Sequence, residues 1–202
     1  IPLKTDDGWV DIGAVVRLAP IKDVKTMIYA FFELHERLPK VRLHIMGGVD
    51  DEEYGAECHA LVETLGVRDL IFTGRVNVVE YMEKLDFTIL TSISEGQPLS
   101  VLESLAARRP CVTTEVGCCR ELLEGAPGDD FGVAGFVTPP MYRKGLADAM
   151  ERMCTSRARR IEMGERGQRR VATYFLHEQM LANYRALYDE TARAFDLSRE
   201  GE

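Results

Sequence analysis

No paired C-x-x-C spacing links the five cysteines, Cys58, Cys111, Cys118, Cys119 and Cys154, so neither a zinc framework nor a disulfide scaffold is indicated. Reduced thiols are the expectation. Positive charge is in deficit, with 25 Lys and Arg against 33 Asp and Glu for a net charge of −8. That argues against a general nucleic-acid binder, because affinity for a phosphate backbone is carried by lysine and arginine. Any anion bound here must meet a local positive site. No apolar run is long enough to span a bilayer and no signal peptide precedes the first strand pattern, so no segment is expected to cross a membrane. G-x-G-x-x-G and G-x-x-x-x-G-K-[ST] are both missing, which removes the usual dinucleotide and P-loop fingerprints. His35, His44, His59 and His177 stand apart from any nucleophile motif, so structural or solvated roles are expected for them. Internal repeats, low-complexity tracts and long linkers are absent too.

What is present is a chain of 202 residues with 46% hydrophobic and 29% charged residues, enough to bury a full core. Strand patterns at Asp11–Val16, Val41–Met46, Leu70–Phe72, Phe87–Thr91, Cys111–Thr114 and Gly135–Val137 alternate with helical spacing. The helices are expected at Val24–Leu38, Glu52–Leu65, Val78–Lys84, Pro98–Arg108 and Cys119–Leu123. This predicts an α/β fold, a Rossmann-like parallel sheet of six strands flanked by helices, with ligands beyond the carboxyl ends of the strands. After Pro139-Pro140 the pattern turns helical over Met141–Cys154, Ser156–Phe175 and Glu178–Phe195, a helical C-terminal extension with a frayed tail at Ser198–Glu202. Residues 1–175 are expected to form the ligand-binding domain and 176–202 a C-terminal helix. The opening Ile1-Pro2-Leu3-Lys4 suggests a piece of something longer.

The most informative segment is Ser94-Glu95-Gly96-Gln97-Pro98-Leu99-Ser100-Val101-Leu102-Glu103. Gly96 suits a tight turn, Pro98 suits a first helical turn, and Val101, Leu102 and Leu105 continue with helical spacing. Glu95 is thereby expected on a loop and Glu103 in the second helical turn. Unpaired N–H groups at a helix start suit a phosphate, and nearby carboxylates accept hydrogen bonds from vicinal hydroxyls. The segment reads as a nucleotide-sugar pocket or as a strand–loop–helix connection with two solvated glutamates.

Arg17 and Lys22 flank the exit of the first strand, where they would either clamp a diphosphate or serve as a carbonyl cap and a solvated helix-start residue. In Phe72-Thr73-Gly74-Arg75-Val76 the glycine would let backbone approach a planar base beside Arg75, or simply make a turn. Asp50, Asp51 and Glu52, after Gly47-Gly48, are expected to cap the next helix rather than hold a metal. Cys118 and Cys119 read as small packed residues at a turn, with Arg120 and Glu121 as candidate contacts to a sugar or another domain. Arg152, Arg157, Arg159, Arg160, Arg166, Arg169 and Arg170 would either meet a partner or anionic membrane or, interleaved with Glu151, Glu162 and Glu165, form a salt-bridged solvent face, the reading expected here.

Taken in order, Val15-Val16-Arg17-Leu18 with Lys22, His44–Gly48, Phe72–Val76, Leu85-Asp86-Phe87, Ser94–Glu103, Pro110–Thr114 and Gly135–Pro140 resemble the C-terminal, donor-binding half of family 4 retaining glycosyltransferases of the GT-B fold. Met163–Gly167 and Tyr174-Phe175 match that family's closing helices, so the likeness covers nearly the whole chain. Pro20–Thr26, Thr91–Leu99 and Val116–Leu122 are most similar to the PelF branch, the glycosyltransferases of Pel exopolysaccharide systems. The resemblance implies that Glu95 contacts the donor sugar, Glu103 the ribose, Arg17 and Lys22 the diphosphate, and the Gly74–Val76 turn, with Arg75 and Val76, the base. Gly96, Gln97, Pro98 and Leu99 would line the donor site. It implies a UDP-sugar substrate, UDP-glucose or a related hexose, transferred with retention and without a required metal or other cofactor. It also implies a growing polysaccharide as acceptor, an N-terminal domain against which the last helix packs, and a cytoplasmic enzyme brought to the inner membrane by a synthase complex. This piece alone would bind donor weakly and transfer nothing. A GT-B nucleotide-sugar epimerase and a non-catalytic nucleotide-sugar-binding subunit are the alternatives. Three departures from the family pattern stand out: Gln97-Pro98 where many members carry an aromatic and a glycine, Asp23 for the glycine after the lysine, and Arg108-Arg109 where glycine commonly precedes the proline.

Overall fold

A computed structural model of the chain describes residues 1–199, with side chains through residue 195. Six strands, β1 (Val10–Val15), β2 (Val41–Met46), β3 (Leu70–Gly74), β4 (Phe87–Leu90), β5 (Cys111–Thr114) and β6 (Gly135–Thr138), alternate with the helices that cover them. All pairings are parallel and the order is β3-β2-β1-β4-β5-β6. This is the doubly wound arrangement expected from the alternation, with its topological switch between β1 and β4.

The period of two decides which face each strand residue serves. Ile12, Ala14, Leu43, Ile45, Phe87 and Ile89 point into the larger core, under α1 (Val24–Arg37), α2 (Glu52–Leu65) and α6 (Arg143–Cys154). In α1, Met27, Ile28, Phe31 and Leu34 recur at helical spacing and are fully buried, each contributing roughly 1.5–3 kcal/mol of apolar burial. The opposite face carries α3 (Val78–Tyr81), α4 (Leu99–Ala106), α5 (Cys119–Glu124) and α7 (Arg157–Tyr174) over two smaller clusters. Gly13 lies under this second layer, where a Cβ would fall 2.3 Å from a Leu85 methyl.

Several expectations are corrected in detail. Val78–Lys84 is not one helix, because α3 ends at Tyr81 and a 3₁₀ turn follows over Met82–Lys84. Pro98 lies just outside α4 rather than in its first turn, with ψ 113°. The arginine-rich stretch is not a solvent face throughout, since Arg160 and Arg170 are buried. Arg170 donates to Asp129 and to the carbonyls of Leu122, Leu123 and Gly132, tying off the end of α5. Arg160 donates to the Met153 and Cys154 carbonyls and to Asp86.

The final helix, α8 (His177–Arg199), is exposed along its described side chains, including Met180, Leu181, Tyr184, Leu187 and Tyr188. Ser198 and Arg199 continue that helix instead of fraying, and the rest of the expected tail, 200–202, lies outside the described residues. Among the described residues no helix is long and apolar enough to cross a membrane.

Candidate functional site

The switch point forces apart the chain segments leaving β1 and β4, and a cleft opens beyond the strands' carboxyl ends. It encloses about 590 Å³ and is walled by Arg17, Lys22, Gly47, Gly48, Arg75, Val76, Glu95 and the run Gln97–Ser100, with Val15, Val16, Met46 and Val78 at its base and side. Residues from four separate connections therefore meet in one place.

Each wall is held by backbone geometry. After β1 the chain stays beside β2: Leu18 N–H donates to the Gly48 carbonyl at 3.0 Å, and the Asp50 and Asp51 N–H groups both donate to the Leu18 carbonyl at 3.1 Å. Gly47 is required there, because a Cβ would lie 2.0 Å from the Val16 carbonyl oxygen. A 3₁₀ turn, Pro20–Lys22, then delivers Lys22 before Asp23 starts α1. Asp23 adopts φ 47° and ψ 48° and accepts from the Thr26 N–H as the helix cap. The left-handed conformation that suits glycine is thus kept by an aspartate, a residue type that tolerates it.

The β4 exit is fastened to the β1 exit and to β5. Thr91 Oγ1 donates to the Lys22 and Asp23 carbonyls, Ile93 N–H donates to the Ile21 carbonyl, and Thr114 Oγ1 donates to the Ser92 carbonyl. Beneath the Glu95–Gly96 turn passes Gly117 at φ 50°, where a Cβ would meet the Gly96 carbonyl at 2.1 Å and the Glu95 carbonyl at 2.4 Å. Cys118 N–H donates to the Gly96 carbonyl at 3.0 Å.

Within the cleft Lys22 Nζ donates to Glu95 Oε1 at 2.6 Å, and Ser92 Oγ donates to the same oxygen at 2.6 Å. Both members of the ion pair are mostly shielded, at 19% and 15% side-chain exposure. Arg17 is more open, and one of its Nη groups reaches Asp50 at 2.6 Å. Asp51, not Asp50, caps α2 through the Tyr54 N–H. Arg75 is exposed on the opposite wall, with no hydrogen-bond or ion-pair partner among the described residues. Three cations thus gather in a chain that is acidic overall, the local positive site an anion would need. The first N–H groups of α4 have no intrahelical acceptor, and Leu99 and Ser100 bring them to the same cleft.

Not every predicted residue is on the wall. Glu103 is exposed on α4 one turn beyond Ser100, outside the lining, and Gly96 shapes the turn through its carbonyl. Arg120 is occupied by Glu115 and Glu124 at the surface. Cys119 is buried and pushed up to about 11, and burial followed by the Glu121 charge also raises the Cys118 thiol. Both are packed, protonated residues at neutral pH. Among the described residues no three His, Cys, Asp or Glu side chains assemble as a metal-binding group. Sequence reasoning overlooked Ser92, Asp50 as the partner of Arg17, and Gly117. The only local hint for Gly117 was a glycine between a strand and a short helix.

Comparison with known proteins places this geometry. The family model for glycosyl transferases group 1 matches residues 10–156. The chain is 26% identical over 175 residues to the N-acetyl-alpha-D-glucosaminyl L-malate synthase of Bacillus anthracis, covering 86% of this chain and 43% of that protein. Among solved structures, S. aureus TarM in complex with Fondaparinux, alpha-GlcNAc-glycerol and UDP superposes with a TM-score of 0.78 at 17% identity, over 93% of this chain and 36% of that one. Anabaena Alr3699/HepE in complex with UDP and glucose gives 0.76 at 23%, over 88% and 48%. The chain therefore spans less than half the length of these relatives, and the structural likenesses establish the shared GT-B-type fold.

Proposed function

The chain belongs to the group 1 glycosyl transferases, and from that premise we propose that it is the donor-binding half of a retaining glycosyltransferase that takes its sugar from a UDP-hexose. The observation that carries this reading is the convergence of Arg17, Lys22, Arg75 and Glu95 with the start of α4 in one cleft at the switch point. In this reading Arg17, Lys22 and the α4 N–H groups hold the diphosphate. Glu95 takes hydroxyls of the hexose among Gly96, Gln97, Pro98 and Leu99. Arg75 and Val76 flank the uracil, and Glu103 meets the ribose from the rim. HepE and TarM, whose structures contain UDP, support the uridine assignment by likeness of fold.

Chemically, the bond between the anomeric carbon and the β-phosphate oxygen breaks and loads negative charge onto the departing diphosphate, while that carbon gains a bond to an acceptor hydroxyl oxygen whose proton passes to the diphosphate. Cations and N–H dipoles already in place stabilise that charge as it develops, where removing one such donor commonly costs about 10²–10³ in rate. No metal is assigned to this role. Lys22 gives one ammonium hydrogen to Glu95 and has two more to offer a phosphate as donor enters. The acceptor is proposed to be a growing exopolysaccharide of the Pel type, bound between this half and an N-terminal domain. Action is placed in the cytoplasm, beside a membrane-bound synthase.

Titration calorimetry of the chain with UDP, UDP-glucose, UDP-N-acetylglucosamine and ADP-glucose tests the reading. Uridine-selective binding is expected, with Lys22→Ala weakening UDP about tenfold to a hundredfold, the scale of a hydrogen bond to a charged group. Glycosyl transfer by the chain alone is expected to be undetectable. Equal affinity for ADP-glucose, or UDP binding indifferent to Lys22→Ala, would sink the assignment.

A further inference from the structure

Ser92 is fully buried at the exit of β4 and sits directly behind the cleft. Its hydroxyl donates to Glu95 Oε1 at 2.6 Å, the oxygen that also takes the Lys22 ammonium. Oε2 accepts nothing among the described residues, and Glu95 lines the cleft. The serine's own carbonyl is pinned by Thr114 Oγ1 at 2.7 Å, so its place is set by β5. Two donors on one carboxylate oxygen fix the plane of the group and leave the other oxygen with both lone pairs available.

Resting on the donor-site reading above, we propose that Ser92 is the positioning residue that aims Glu95 at the hexose of the donor. The two partners of Oε1 have different fates. Lys22 has further ammonium hydrogens that a diphosphate would recruit, pulling the group toward the phosphates, whereas Ser92 is neutral and buried and its single hydroxyl hydrogen goes to Glu95. Once donor is bound, Ser92 is the restraint on Glu95 for which no phosphate competes. Its contribution is thus specific to the sugar part of the ligand, since UDP alone presents no hexose to Glu95.

The test compares UDP with whichever of UDP-glucose and UDP-N-acetylglucosamine the unsubstituted chain binds more tightly, by calorimetry. Ser92→Ala is expected to leave UDP affinity within about twofold and to weaken the UDP-hexose about five- to twentyfold. Ser92→Cys, similar in size with a weak S–H donor, is expected to fall between, and it carries the comparison if the alanine variant does not fold. In a Glu95→Ala background, which removes the acceptor, Ser92→Ala should add no further loss, a coupling that a packing role would not produce. Equal weakening of UDP and UDP-hexose, an intact hexose increment, or additive losses in the double variant would each overturn the role of Ser92 while leaving the donor site standing. Were the unsubstituted chain to bind neither UDP-hexose more tightly than UDP, the assignment of Glu95 to the sugar would fall and this proposal with it.

Discussion

Gly117→Ala offers a way to move the Glu95 turn without replacing any residue assigned to the donor site. The residue sits at φ 50°, and its added Cβ would stand 2.1 Å from the Gly96 carbonyl oxygen and 2.4 Å from that of Glu95. The left-handed backbone alone costs an L-residue about 1–2 kcal/mol. Ordinary contact lies near 3.5 Å, so the Glu95–Gly96 backbone must shift by roughly 1 Å, with overpacking adding about 1–3 kcal/mol. A matched control exists at Gly66, the cap of α2, which has φ 61° and nothing within 4 Å of its virtual Cβ. Gly66→Ala therefore reports the backbone cost by itself, at the opposite end of the sheet. Thermal unfolding should show Gly117→Ala lower than Gly66→Ala, at about 2–4 °C for each extra kcal/mol in a chain of this size. Catalysis by a full-length enzyme carrying Gly117→Ala should fall by about 10²-fold, the usual effect of a 1 Å misplacement, with Gly66→Ala near normal. Equal melting temperatures and equal rates for the two variants would refute the claim that Gly117 supports the loop.

Two further substitutions examine the buried charges. Arg170→Met should destabilise the chain by about 3–5 kcal/mol in chemical denaturation, because it strands the Asp129 carboxylate; a change under ~1 kcal/mol would show the pair to be incidental. Asp11 carries the clearer pH signature. Burial alone would raise its carboxyl, but hydrogen bonds from His44, Arg42 and Lys4 outweigh that and hold it well below the usual carboxylate range. A depressed native value means that its stabilisation is present above the unfolded value near ~3.9 and is lost as pH falls below it. Asp11→Asn should lower stability at neutral pH and flatten the decline below about pH 4; an acid-unfolding curve parallel to that of the parent would contradict this.

The fold was legible wherever pattern and punctuation agreed. Val41–Met46, Glu52–Leu65 and Cys111–Thr114 are found with the expected ends, because the apolar patterns there are bounded by Gly, Pro or a capping Asp. The site was legible as parts and not as contacts. Lys22 and Glu95 are 73 residues apart, and nothing in either segment reveals that the sheet order sets them side by side. Arg160 and Arg170 were misread because the charged residues around them dominate. The correct signal lay in spacing: Arg160, Met163, Gly164, Gly167 and Arg170 form one helical stripe, and all are buried. Gly164 and Gly167 let α7 press against the Arg108 carbonyl and the Leu105 side chain, with a virtual Cβ only 2.2 and 2.5 Å away. At so close an approach the two arginines flanking the glycines face inward and find carbonyls and carboxylates. Arg108 itself holds φ 59°, a left-handed conformation that suits glycine and that this chain adopts with a bulky residue.

The two ends of the sheet separate structural charge from charge held ready for a ligand. At the amino ends Asp11, Asp86, Lys4, Arg42, His44 and Arg160 pair with one another, with Arg160 Nε left over: Asp11 takes Lys4, Arg42 and His44, Asp86 takes Lys4 and Arg160, and the Asp11 N–H donates to Asp86. Replacing any member leaves a charge shielded from water, which is a reason for the network to exist without any ligand. At the carboxyl ends the groups are comparably well placed but under-used. Lys22 has three ammonium donors and gives one to Glu95, Glu95 keeps an oxygen free, Arg17 spends one amino group on Asp50, and Arg75 spends none among the described residues. Burial does not distinguish the two sets, since Lys22 and Glu95 are largely shielded as well. The difference is unspent hydrogen-bonding capacity around an open volume; in the proposed reading a diphosphate carrying a polyhydroxyl ring would use it, presenting acceptors to the cations and hydroxyl donors to the free carboxylate oxygen.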